Sequence, residues 1–401
     1  MSREAARRAS GSWLLVLLLF AFGFFGLFWG TFAVLLADLS SALDLSPGPL
    51  GFALFIGAAA SILAMALLGW AADQLGRRPF LVGSATVFGA GIVGLALTGS
   101  YASLLAALVT LYAASGLYDV GINAAAVDLE RSTGRRFMAL LHAAFSGGGV
   151  AGALFAGALL SAGMDYRYVY LGVLIPLGAM ILAVALTSFP PCGGSPESGE
   201  EIERSPLYRY VPLLLVAAIA TLGLLSEGEM EHWSGIYLRQ SLALPALVGA
   251  SGVAVFHAAM AAGRLGAAGV VVRFGNRQTL LGAGLLAAGG MMISLATREP
   301  LFVVVGFLVV GLALSAVVPV AFSIAGDLAP SGRAGAAISV VTTFGYGGFL
   351  LGPVIVGGLA EVFGLRTALG TIVVAGILIF ALSLLVSGRS SAISGQQKVR
   401  K

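Results

Sequence analysis

Runs of about twenty apolar residues, separated by short polar or charged breaks, recur along the whole chain, which is the length a helix needs to cross roughly 30 Å of hydrocarbon. Twelve such runs are read, over 13–37, 50–72, 79–98, 101–127, 137–162, 168–189, 210–238, 246–272, 278–296, 301–326, 335–361 and 366–387. They are about twice as long as a barrel strand and lack period-2 alternation, so they predict helices. The expected fold is an all-α membrane protein with twelve transmembrane helices. The first run exceeds a signal-peptide core and is followed by no small-residue cleavage site, so it is expected to stay in the mature protein.

The break after the sixth run differs from the rest. Residues 190–209, PPCGGSPESGEEIERSPLYR, are polar, rich in Pro, Gly and Ser, and carry Glu197, Glu200, Glu201 and Glu203. Such a stretch reads as a linker. The expected organisation is an N-terminal six-helix bundle over 1–189, a cytoplasmic linker over 190–209, a C-terminal six-helix bundle over 210–387 and a cytoplasmic tail over 388–401. A weak internal repeat agrees with two pseudo-symmetric halves. GWAADQLGRRPFL after the second run parallels AAGVVVRFGNRQTLL after the eighth, so Gly76 and Arg78 correspond to Gly275 and Arg277 at an offset of 199. Gly148 and Gly152 correspond to Gly348 and Gly352 at an offset of 200. Glycines four apart let two helices approach closely in lipid.

Composition narrows the class. Of 401 residues, 59% are hydrophobic, 57 are glycine and only 10% are charged, against about 25% charged in soluble domains. A soluble enzyme, a disordered protein and a nucleic-acid module are excluded, and the surface must face lipid. Of the 22 cations, 17 fall on the side of the chain termini, four (Arg167, Arg239, Arg298 and Arg366) fall on the other, and Arg264 lies inside the eighth run. Cytoplasmic loops collect Lys and Arg, so both termini are expected in the cytoplasm; the net charge of +4 is a topology signal and implies no nucleic-acid partner. Cys192 is the only cysteine, and His142, His232 and His257 lie in separate runs. No disulfide, metal site or cofactor is therefore expected.

Ionisable groups at bilayer depth cost at least ~2.5 kcal/mol each on insertion scales and are functional candidates. Asp119 lies about 27 Å into the fourth run, with Asn123 one turn on. A buried acid there can exchange a proton, or simply bond Asn123. In the seventh run Glu227 and Glu231 share a face, whereas Glu229 points elsewhere. The pair either faces an internal cavity, binding a polar or cationic solute or exchanging a proton, or ends the helix in water. Arg264 shares a face with His257 two turns earlier, and either pairs with an acid, Asp119 being the candidate, or snorkels to the interface. His142 is a packed imidazole or a relay. Phe25, Trp29, Trp233, Tyr237, Thr342, Thr343 and Tyr346 offer rings and hydroxyls suited to a sugar-like solute, although most aromatics in lipid are packing or belt residues.

GWAADQLGRR resembles the loop motif G-x-x-x-D-[RK]-x-G-R-[RK] of the major facilitator superfamily: Gly69, Asp73, Gly76, Arg77 and Arg78 match, and Gln74 replaces the usual cation. YDVGINAAAVDLE, MALLHAAFSGGGVAG and EGEMEHWSGIYL resemble a bacterial branch related to the fucose permease group of sugar and proton symporters. The resemblance implies two six-helix bundles with a midplane site. It implies a secondary transporter of a small polar solute, a sugar being one candidate, working by alternating access across the inner membrane and coupled to protons. The alternative is proton-coupled efflux of amphipathic or cationic drugs. Proton coupling is assigned to Asp119, Glu227, Arg264 and His257, and substrate binding to Trp29, Phe25, Asn123, Glu231, Trp233, Tyr237, Thr342 and Tyr346. Gly69, Asp73, Gly76, Arg77 and Arg78 form either a conformational latch or a topological anchor. A monomer in lipid and no enzymatic activity are expected, since no catalytic constellation is legible. The only lysines, Lys398 and Lys401, lie in the tail, which disfavours a phosphate-binding loop and hence a primary pump.

Overall fold

A computed structural model describes residues 3–189, 211–329 and 334–386. Every regular element among them is helical. Twelve helices are long and apolar enough to span a membrane: α1 Ser12–Ala42, α2 Pro47–Leu68, α3 Arg77–Leu97, α4 Tyr101–Thr133, α5 Leu140–Ser161, α6 Tyr166–Leu186, α7 Val211–Ser241, α8 Ala246–Phe274, α9 Asn276–Ala296, α10 Pro300–Leu328, α11 Ala337–Phe363 and α12 Leu365–Leu385. The expected linker and tail lie outside the described residues. Two helices outrun their apolar stretches. α1 continues to Ala42, where Ser40 and Ser41 hydroxyls donate back to Ala37 O, and α4 continues to Thr133, closed by left-handed Gly134. α10 is interrupted at Ser315–Ala316, and α7 ends in a π-helical turn over Tyr237–Ser241.

In hydrocarbon, helices lack the exclusion of water that drives apolar packing elsewhere, so close backbone contact holds them together. Gly26 and Gly30 of α1 lie against the backbone of Phe145 and Gly149 of α5, and Gly148 and Gly152 return the contact against Gly23 and Leu27. The Thr31 hydroxyl donates to Gly152 O across the seam at 3.1 Å. The second half repeats the arrangement, with Gly348 and Gly352 of α11 against Thr221 and Leu225 of α7. The repeat reaches backbone torsions: Gly76 before α3 has φ 85° and ψ 156°, and Gly275 before α9 has φ 81° and ψ 163°.

The halves, α1–α6 and α7–α12, meet through α1 with α7, α2 with α11 and α5 with α8. These contacts gather at one end. Gly51 faces Pro353 and Gly357, Gly157 faces Leu247 and Ala250, and Leu247 N–H donates to Ser161 Oγ at 3.1 Å. Toward the opposite end, which carries the Gly69–Arg78 loop, His142, Arg264, Thr343 and Tyr346 on the same facing helices are exposed. The result is a cleft between the halves, shut at the far end and open at the loop end.

The glycine seam predicts that Gly30→Leu, whose side chain would enter the Gly149 backbone, destabilises the detergent-solubilised protein by more than about 2 kcal/mol. Gly83→Ala, which meets open space, leaves the melting temperature within a degree or two of the parent.

Candidate functional site

The cleft is walled by charges from both halves. On the α7–α8 side Arg264 Nη2 donates to Glu227 Oε1 at 2.9 Å, and Glu231, one turn beyond Glu227, lies within electrostatic reach of both. On the α4 side Asn123 Nδ2 donates to Asp119 Oδ1 at 2.9 Å. Tyr346 of α11 lies within reach of both Asp119 and Glu227, so these acids look onto one space. His142 and His257 both feel the Arg264 charge. His257 is buried against Gly149, with Nε2 lacking a hydrogen-bond partner. Arg264 therefore takes its acid from the adjacent helix rather than from Asp119, which lies across the cleft and is already held by Asn123.

Aromatic and hydroxyl candidates separate into two groups. Phe25 is buried between Tyr118 and Phe145, at ring separations of 5.3 and 5.6 Å. Trp29 packs edge-on to Tyr112 at 4.9 Å. Tyr346 is exposed in the cleft region, and Thr342 returns its hydroxyl to Ile338 O at 2.8 Å. Trp233 and Tyr237 are fully buried, and neither Trp233 Nε1 nor the Tyr237 hydroxyl has a hydrogen-bond partner. They lie four residues apart on one face of α7, while Glu227 and Glu231 occupy another.

The far end is closed by polar ties between halves that the apolar pattern does not reveal. The Tyr112 hydroxyl meets His232 Nε2 at 3.0 Å, and His232 Nδ1 meets Gly228 O at 2.7 Å. A carbonyl only accepts, so Nδ1 carries the hydrogen, which in a singly protonated ring leaves Nε2 to accept from Tyr112. Nearer the rim Arg239 Nη2 donates to Asp38 Oδ1 at 2.8 Å, Gln240 Nε2 donates to Ala37 O at 3.0 Å, and Gly48 N–H donates to Glu361 Oε2 at 2.8 Å. Single-residue reasoning passes over Asp38 and Arg239 because each stands near the end of a span, where a charge is ordinary.

At the loop end Arg77 Nη1 donates to Asp73 Oδ1 at 2.6 Å and Nε donates to Asp128 Oδ2 at 2.7 Å. Arg77 is 5% exposed and Asp128 4%, so the motif arginine is sunk between the loop and α4. Arg78 and Asp73 are exposed. Gly76 supplies the left-handed turn that starts α3, and a Cβ at Gly69 would crowd Met65 O. Asp128 is absent from the sequence-derived site, although it ends the same acid-bearing stretch as Asp119. Among the described residues no group of His, Cys, Asp and Glu gathers as a metal site.

Twelve membrane helices in two related halves around a one-ended cleft define the transporter fold of alternating-access carriers. A profile of the Major Facilitator Superfamily matches residues 18–296 and 253–400. The chain is 30% identical over 354 residues to an uncharacterized MFS-type transporter of Yersinia pestis, covering 88% of this chain and 90% of that one. It is 31% identical over 366 residues to membrane protein MosC of Rhizobium meliloti, covering 91% and 88%. In structure it resembles a point mutant of the nucleoside transporter NupG, with a TM-score of 0.78 at 13% identity, covering 93% of this chain and 100% of that one. The chain belongs to the major facilitator superfamily and is a multi-pass membrane transporter.

Two outcomes follow from the ties. Arg77→Ala leaves Asp128 buried without its cation and is expected to cost about 3 kcal/mol, read as a lowered denaturation midpoint, while Gln74→Arg on the exposed loop is close to neutral. Arg239→Ala releases Asp38 and is expected to raise the population open at the far end. Spin labels at Met164 and Leu242, in a Cys192→Ser background, would then show a longer interhalf distance; an unchanged distribution would count against a gating role for the pair.

Proposed function

We propose that this chain is a secondary active transporter that carries a small polar solute, a sugar being the first candidate, across the inner membrane by alternating access coupled to protons. The observation that carries the reading is the cleft itself: Asp119–Asn123 on one wall, Glu227–Arg264 on the other, open at one end and tied shut at the other. The excess of cations at the loop end supports a cytoplasmic location for that end and for both termini. On this reading the structure is the cytoplasm-open state of a monomer. Its halves comprise residues 1–189 and 210–387, joined by the linker 190–209 and followed by the tail 388–401.

In this scheme Arg264 holds Glu227 until solute competes for it, and Asp119 exchanges a proton as its access alternates. Glu231 and Asn123, with Trp29 and Tyr346, offer hydrogen bonds and ring faces to the solute, while Asp73, Arg77 and Arg78 bias the rocking equilibrium. The resemblance to the fucose permease group favours a polyhydroxylated solute, and NupG, a nucleoside transporter by name, carries a solute that contains a sugar ring. A second reading, proton-coupled efflux of amphipathic cations, is favoured by the excess of acid in the cleft: Asp119, Glu227 and Glu231 against Arg264.

A thermal-shift screen of the purified protein against sugars, nucleosides, organic ions and cationic drugs, at two pH values, separates the readings, because a ligand specific to the folded state raises its melting temperature. A pH-dependent rise with a neutral sugar or nucleoside supports symport; a rise with lipophilic cations alone supports efflux. For the solute so identified, Asp119→Asn is expected to abolish proton-driven accumulation in proteoliposomes while sparing binding. Arg264→Ala is expected to weaken binding at least tenfold. Full accumulation by Asp119→Asn would remove that residue from the coupling scheme.

A further inference from the structure

Glu229 stands apart from the cleft acids. Its residue is 0% exposed, it forms no ion pair among those described, and Glu227, two residues earlier, points about half a turn away. α11 brings Gly352 against its Cγ and α12 brings Thr371 against its carboxyl group; neither is ionisable. Oε1 has no hydrogen-bond partner, and Oε2 lies 2.9 Å from Thr371 Oγ1.

That last contact constrains the proton. The same Thr371 hydroxyl lies 2.7 Å from Ala368 O, which is a pure acceptor, and a hydroxyl has one hydrogen to give. Ala368 has a claim on it because α12 changes pitch at Leu369, where Ile372 N–H turns to Leu369 O at 3.2 Å. With the threonine hydrogen given to Ala368 O, the contact to Glu229 holds a hydrogen only if the carboxyl group supplies it. Oε1 is then the carbonyl oxygen of a neutral acid, whose missing partner costs far less than that of a buried carboxylate.

We infer that Glu229 is a proton-binding site, held as a carboxylic acid that donates to Thr371 Oγ1 in this conformation, and that α7, α11 and α12 shield the proton until their packing changes. As a coupling site it rests on the proton-coupled reading above. It places a second exchangeable proton inside one half, away from the solute-facing charges.

The test is infrared spectroscopy of the purified full chain at neutral pH. The difference between parent and Glu229→Gln should contain a lost carboxyl C=O band in the region of protonated acids, and Thr371→Val should shift that same band by removing its hydrogen-bond partner. If Glu229→Gln does not give monodisperse protein, the Thr371→Val shift alone decides. Absence of the band difference, or of the shift when only Thr371→Val is available, overturns the inference. The proton-coupled reading fails by a different result, namely solute movement in proteoliposomes without any pH change, so the two failures are distinguishable.

Discussion

Close backbone contact between helices is the constraint on which the rest of this molecule depends. Lipid tails are as apolar as leucine, so the twelve helices gain little from burying apolar side chains against each other and must gain from packing density. Glycine at 26, 30, 148 and 152 lets α1 and α5 meet backbone to backbone, and glycine at 348 and 352 does the same for α7 and α11. Each half is thereby held together by its own backbone contacts. Charges can then be mounted on its inner wall without loosening it.

Most of the charged partners follow from that division. Arg264 with Glu227, Asp119 with Asn123, and Arg77 with Asp73 and Asp128 are each paired inside one half. Parting the halves therefore leaves none of these groups stranded. The ties that do cross, among them Tyr112 to His232, Arg239 to Asp38, Gln240 to Ala37, Gly48 to Glu361 and Leu247 to Ser161, sit between mid-depth and the far rim. They are few and polar, with partners that water can replace when the far end opens. Two conformations of similar free energy need such an arrangement, since a ligand shifts an equilibrium only by its differential affinity for the two states.

The sequence is most informative where the physics is one-dimensional. Span length and the offset of about two hundred residues between repeats specify helix number and a two-fold repeat. Intrahelical spacing also separates Glu227 and Glu231 from Glu229. Contacts that depend on which helices become neighbours are not legible in it. Asp119 is the candidate partner for Arg264 because both are charges at depth, whereas α7, adjacent to α8, offers Glu227 first. Trp233 and Tyr237 read as cleft residues by type alone, and their face of α7 turns inward. Asp128 meets Arg77 only once α3 lies on α4, and His232 meets Tyr112 only once α4 meets α7.

The two loops show how a repeat can diverge in its contacts while keeping its backbone. Gly76 and Gly275 adopt nearly the same torsions, and each starts the following helix. In the first half Arg77 finds two acids. In the second half, at the same offset of 199, Asn276 replaces Arg77 and the counterpart of Asp128 is the exposed Asp327, while Arg277, the counterpart of Arg78, donates to Ser383 O and Leu384 O at the end of α12, at 3.2 and 3.0 Å. A guanidinium capping carbonyls steadies a helix end whatever the rest of the half is doing. A guanidinium between two carboxylates is a charge arrangement that a neighbouring helix can disturb. The asymmetry therefore lies in the arginine: the first loop sinks a guanidinium between two carboxylates, and the second uses one to hold the end of α12.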